Sequence, residues 1–305
     1  MPLNTTTFGL GGFAARWSRR RWRGAAALLL VALTGPAQAL STDAAALIAR
    51  HDALRSSFAS SPFQRPLLLQ AAPGDDGLKG EVYAIVDQPF GLTGPALQDK
   101  ARWCDVLILH LNVKQCRVRS NPGSESVVMV VGRKFEQPVG AGREVEFGFR
   151  VLSTGPDHVR VQMAAIAASS DAKDQVVLEA APLDDKRSFL RVTYAYTFTT
   201  MERLGMQAYL STLGRDKVGF TTAGNGVDGK PVYTGGVRGM VERNVMRYYL
   251  AVVTYIESLT VPPAEQLEKR LRDWFSATER YALQLHEMGR DEYLKMKRNE
   301  TRATP

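Results

Sequence analysis

Few residues in this 305-residue chain could do chemistry, and their spacing limits what that chemistry is. The four histidines, His51, His110, His158 and His286, are scattered. No H-E-x-x-H pair is present, so neither a metal centre nor a cofactor is expected. Ser170-Asp171-Ala172-Lys173 spells S-x-x-K, but the companion motifs that make that serine a nucleophile are missing. Gly224-x-Gly226-x-x-Gly229 matches the dinucleotide fingerprint in letters only. Lys230-Pro231-Val232 follows it, which cannot open the helix that would receive a pyrophosphate. The same stretch nearly spells a phosphate-binding loop, with Pro231 where a serine or threonine must hold magnesium. Asp184-Asp185 reads as a turn. No catalytic set is assigned.

Three polar residues stand apart from this background. His110 and Asn112 fall where a helix hands over to a sheet, and Arg243 sits on an otherwise apolar helix. They read as polar anchors at the mouth of a cavity, or as side chains that satisfy backbone groups at that junction.

Export sets the cysteine chemistry. Residues 1–39 carry five arginines and no acid. Arg16 to Arg23 is a basic stretch, Ala25 to Leu33 an apolar run, and Ala37-Gln38-Ala39 a cleavage site. The run is short of the ~20 residues that span a bilayer. The expectation is a signal peptide cleaved after Ala39 and a periplasmic mature chain; an uncleaved anchor is the alternative. Ser18-Arg19-Arg20-Arg21-Trp22 is faintly similar to a twin-arginine signal. In an oxidising compartment Cys104 and Cys116 are expected to pair. That would close a loop of about 13 residues, worth roughly 3 kcal/mol in the chain-entropy model. A free thiol with His110 as base is the other reading. The formal charge of +8 is mostly the leader's. The rest holds 34 basic and 31 acidic side chains, too even for a nucleic-acid footprint.

The elements that would position these groups follow from pattern. Ser41-Thr42-Asp43 caps a helix from Ala44 to about Phe58. Residues 66–70 and 80–87 read as strands, and 91–109 as one or two helices. A short strand is expected at 113–118 and a longer one at 127–135. Val145, Phe147, Phe149 and Val151 alternate with polar residues, and Val159, Val161 and Met163 do so against His158, Arg160 and Gln162. That is a hairpin with one dry and one wet face. Residues 176–178 add a strand. Leu190, Val192, Tyr194, Tyr196 and Phe198 make one apolar face of the strand at 187–199. Residues 200–236 are a long connection, and Met201, Leu204, Met206, Tyr209 and Leu210 suggest a lid or a transient membrane contact. The main helix runs from about Gly239 to Leu259. Val241, Val245, Tyr248, Val252 and Tyr255 share a stripe, with apolar residues on other sides too, so it must be covered more than once. A charged amphipathic helix spans about Ala264 to Met288, and the tail around Lys295-Met296-Lys297-Arg298 is expected to fray.

This order resembles the START-like helix-grip superfamily, which includes lipid-transfer domains and polyketide aromatase/cyclases. The resemblance covers roughly 66–260 and rests on Gly80 to Phe90, on Trp103-Cys104-Asp105-Val106-Leu107, and on Arg243 through Ile256. It implies an α+β fold with an antiparallel sheet wrapped around a long C-terminal helix, extended by helices at 40–65 and 261–305. It also implies an apolar cavity lined by Phe147, Phe149, Val161, Tyr194, Tyr196, Tyr248, Val252 and Tyr255, taking a lipid or another hydrophobic small molecule. Two alternatives remain: a cyclase or hydrolase using Tyr194, Tyr196, His110 or Arg243, and a scaffold module with a packed interior.

Overall fold

The computed structural model describes residues 40–73, 77–166, 175–197 and 216–302. The leader, the S-x-x-K stretch and the proposed lid lie outside the described residues. Two short helices open the chain, α1 (Thr42–Ala53) and α2 (Arg55–Ala59). The Ser41 hydroxyl accepts the Ala44 amide at 3.2 Å and caps α1. The single helix expected here breaks at Leu54. Next come β1 (Leu67–Pro73), β2 (Gly77–Val86), α3 (Phe90–Gln98) and α4 (Lys100–Leu107). Asp99 divides the last two by capping α4, its carboxylate accepting the Ala101 amide at 2.9 Å.

Six strands follow: β3 (Val113–Asn121), β4 (Ser124–Val131), β5 (Arg143–Thr154), β6 (Val159–Ala165), β7 (Gln175–Pro182) and β8 (Ser188–Thr197). Between β7 and β8, the Asp184 carboxylate accepts the amides of Lys186 and Arg187 and fixes the expected turn. With β1 and β2 these strands form one eight-stranded antiparallel sheet in the order β1-β2-β8-β7-β6-β5-β4-β3. The glycine-rich stretch is a separate hairpin, β9 (Thr222–Asn225) with β10 (Pro231–Tyr233), and not a phosphate loop. The long helix α5 (Gly236–Ser258) precedes α6 (Pro263–Glu279), α7 (Ala282–Leu285) and α8 (Arg290–Arg302). Proline at the first turn of α6 is placed where its missing N–H costs nothing.

The inner face of the sheet is covered by α5 over β1, β2 and β8, and by α3 and α4 over β3, β4, β6 and β7. Sixteen of the 23 residues of α5 are buried, because α6 covers the side that the sheet does not. The approach to β2 is close. A Cβ added to Gly80 would stand 2.9 Å from Val241 Cγ1 and 3.0 Å from Val245 Cγ1. The outer face is not wet throughout. Leu47, Leu54, Phe58, Tyr83, Ala181 and Phe189 pack there beneath α1 and α2. His158, read as a wet-face residue, is buried too, its Nδ1 3.1 Å from the Ser153 hydroxyl.

The largest departure from expectation is the C-terminus. The predicted helix to Met288 stops at Glu279, and the supposedly frayed tail is the 13-residue helix α8. Tyr293 and Lys297 have no exposed surface. The Lys297 ammonium donates to the carbonyls of His110 (2.7 Å) and Val113 (2.8 Å) and to Glu300 (2.7 Å). Lys114, also fully buried, donates to the carbonyls of Leu111 and Phe135 and to Glu300 at 2.8 Å. Pairing with one carboxylate and several carbonyls lets two cations leave water. Among the described residues no helix is long and apolar enough to cross a membrane.

Candidate functional site

Strand register sorts the predicted lining residues into rows across the inner face. Val161, Leu178, Val192 and Val82 form one row. Phe149, Met163, Val176, Tyr194 and Gly80 form the next. Both rows are buried in the core except at Val151, which pairs with Val161 at the β5 end and is exposed, and Trp103 stands against Phe149 at 6.4 Å between ring centroids. Val252 is buried in the same core. Tyr255 is as well, but its ring faces Arg270 at 5.6 Å, on the side of α5 turned to α6, and burial pushes its hydroxyl up to about 12. The following row holds Val127, Phe147, Ala165, Tyr196 and Leu78; Val127 is fully buried, and the other four are partly exposed. Among the described residues the inner face is therefore buried along its middle and partly exposed at Phe147, Tyr196 and Leu78.

Aromatic rings line that partly exposed end. Tyr196 stacks with Tyr194 at 6.3 Å, Tyr194 meets Tyr248 of α5 at 5.6 Å, and Tyr248 stacks with His110 at 6.0 Å. The ladder runs from β8, across the long helix, to the α4–β3 junction. Asn112 holds that junction: its side-chain amide donates to the Gly132 carbonyl at 2.7 Å, and its backbone N–H donates to His110 Nδ1 at 3.2 Å. The proton of a neutral His110 is thereby assigned to Nε2. Burial, then the positive charges of Arg247, Lys297, Lys134 and Lys114, holds its pKa well below the usual imidazole value. His110 is a neutral ring at pH 7.

Arg243 lies one turn earlier on α5 and donates to the Val218 carbonyl at 3.0 Å. Beside it Glu242, fully buried, accepts the amides of Phe220 and Thr221 and the Thr221 hydroxyl. These two side chains tie the start of α5 to residues 218–221. The Cys104–Cys116 disulfide is formed and joins α4 to β3, with Cα atoms 5.3 Å apart.

Sequence reasoning missed the charges around this end. Glu287 receives Arg247 at 2.8 Å together with the ammoniums of Lys134 and Lys217. The three cations overcome the cost of burial and hold Glu287 at about 2. In turn Lys134 is pushed down to about 8, by burial first and by Arg247 next. The available signal was Arg247 standing four residues after Arg243, hence on the same face of a helix otherwise apolar there. Lys134, Lys217 and Glu287 lie far apart in sequence and carried no such signal.

These features define an α+β protein whose antiparallel sheet grips a long helix and whose inner face ends in partly exposed aromatic residues. No family model and no curated protein sequence matches the chain. Among solved structures it is similar to human STARD10 at 10% identity, covering 53% of this chain and 75% of that one, with a TM-score of 0.31. It is similar to the Zhui aromatase/cyclase from Streptomyces sp. R1128 at 14% identity, covering 67% and 93%, with a TM-score of 0.28. A conserved protein from Geobacillus kaustophilus gives 9% identity, 59% and 95% coverage, and a TM-score of 0.33.

Proposed function

We propose that this chain is an exported START-like protein that binds a lipid or another hydrophobic small molecule at the partly exposed aromatic end of its inner face. One observation carries the reading: Phe149 and Tyr194 are buried, whereas their neighbours Phe147 and Tyr196 on the same face are partly exposed aromatic rings. A guest seated there would remove apolar surface from water, at about 25 cal/mol per Å². Phe147 and Tyr196 would form its floor, and Tyr248 and His110 its wall. The few polar groups that fix orientation in such sites would be the tyrosine hydroxyls and the His110 ring. The periplasm is the proposed location. The basic and apolar leader supports it, as does the disulfide, which suits an oxidising compartment.

The test is native mass spectrometry of protein purified from its own host, followed by titration with fluorescent fatty acids and phospholipids. A co-purifying hydrophobic molecule is expected. Phe147→Ala and Tyr196→Ala should each weaken uptake about tenfold, a loss of ~1.4 kcal/mol. A chain that carries nothing and takes up no probe, or whose uptake ignores both substitutions, sinks the proposal.

A further inference from the structure

A second cavity, of about 230 Å³, lies on the opposite side of α5, where α6 packs against it. Its walls come from the two helices, with Thr254 and Glu257 on α5 facing Asp273 and Ser276 on α6 and Arg280 at the C-cap of α6. Facing stripes of two packed helices ordinarily carry interlocking apolar side chains. Here the space is left by small and charged residues, over a floor of Leu250, Val253 and Ala277.

Arg65 lines it from the segment before β1. Its guanidinium lies 5.8 Å from the centroid of the Tyr249 ring, a cation–π contact. The preceding residue, Gln64, has φ +56°, the one non-glycine residue at positive φ among the described residues. The aromatic face thus orients this cation before any partner arrives. Among the described residues Arg65, Arg280 and Glu257 make no side-chain hydrogen bond or ion pair, whereas Asp273 is held by Lys269 at 2.6 Å. Burial pushes the Glu257 carboxyl up, against the pull of Arg65 and Lys269. Two cations and one carboxylate therefore face a shared space without closing on each other.

We propose that this cavity binds a small carboxylate with a hydrogen-bond donor beside it, an amino acid or hydroxy acid, its carboxylate on Arg65 and Arg280 and its donor on Glu257 and the Thr254 hydroxyl. The guanidinium fork matches a carboxylate in plane and spacing. Glu257 is the acceptor that a plain anion would repel and an ammonium or hydroxyl would use. The volume equals about eight waters at ~30 Å³ each. It is below the ~300–1,000 Å³ of sites for drug-sized ligands, so a lipid is excluded and a molecule of about ten heavy atoms fits. The reading is independent of lipid binding at the far side of α5, and either can fail alone.

Calorimetric titration and thermal melting of the full mature chain test it. The panel is amino acids, hydroxy acids, acetate, sulfate and ethanolamine. At least one amino or hydroxy acid is expected to bind saturably and raise Tm, with acetate, sulfate and ethanolamine at least tenfold weaker. Arg65→Gln and Arg280→Gln should each weaken that binding tenfold or more. Arg280 is exposed, so its variant tests the site without threatening the fold. Arg272→Gln, an exposed change elsewhere on α6, should leave binding unaltered. Binding by no member of the panel, sulfate binding as tightly as the best acid, or unchanged affinity in both cavity variants would each overturn the proposal.

Discussion

Replacing Glu287 by Gln removes the one carboxylate on which Lys134, Lys217 and Arg247 converge. Its folded pKa of about 2 lies below the ordinary 4.5. A depressed carboxylate adds stability that is complete above its unfolded pKa and is lost as pH falls through the folded one. The shift corresponds to about 3 kcal/mol at neutral pH. Lys134 and Lys217, each 30% exposed, screen part of it and bring the figure to about 2–3 kcal/mol. By the same linkage about 1 kcal/mol remains at pH 3. Urea titrations of wild type and Glu287→Gln at pH 7, 5 and 3 read the difference directly. The variant should be less stable by about 2–3 kcal/mol at pH 7, with the gap narrowing by half or more at pH 3. Arg247, 3% exposed, keeps some cost at every pH, since its partner is weakened by an amide. A gap that stays constant from pH 7 to pH 3 would refute the account, because it would mean that the charge of Glu287 contributes nothing.

Reduction of Cys104–Cys116, or the double serine variant, should cost about 3 kcal/mol, read as a fall in Tm of roughly 6–12 °C by calorimetry with and without reductant. Gly80→Val should cost about 1–3 kcal/mol in urea titration, since Val241 and Val245 already occupy the space its side chain needs. Glu300→Ala should cost about 3–5 kcal/mol, because it leaves two buried ammoniums without their carboxylate. Lys297 has a folded pKa of about 8, lowered by burial. The unfolded chain therefore binds more protons between about pH 8 and 10.5, and this lysine's contribution to stability rises across that window. Lys297→Met should abolish that slope.

The sheet was legible because its strands keep period two. Val145, Phe147 and Phe149 share a face in sequence and in structure, as do Leu190, Val192 and Tyr194. The long helix announced its double cover through apolar residues on every side. What failed was the reading of the charged tail as frayed, and buried charge elsewhere went unanticipated. Lys114, Lys297 and Arg247 are ordinary surface residues in composition, and only long-range partners bury them. His158 failed for the related reason that the outer face, read as wet, is covered in part by the N-terminal helices. For the site, the sequence named Tyr194, Tyr196, Tyr248, His110 and Asn112, which the fold brings to one end. It could not tell which apolar positions are packed and which are partly open. That depends on the strand row a residue occupies, and register is a property of pairing.

The C-terminal helices bear on the site more directly than an extension would. His110 forms the end of the aromatic ladder, and its carbonyl is held by Lys297 of α8. Arg247 lies one residue before Tyr248 and is held by Glu287, just before α8. Lys114, on the strand leading away from His110, needs Glu300 of α8. The α4–β3 junction therefore meets two buried ammoniums, its own Lys114 and the Lys297 of α8, which among the described residues share the Glu300 carboxylate, and the helix side of the ladder carries a guanidinium fixed from the same region. Charges buried this way cost several kcal/mol each if a partner is withdrawn. The wall of the aromatic end is thus rigid only while residues 287–300 are docked. A helix-grip core ending at Ser258 would leave His110 beside an uncompensated Lys114, and the neutral ring facing Tyr248 would lose the frame that holds it.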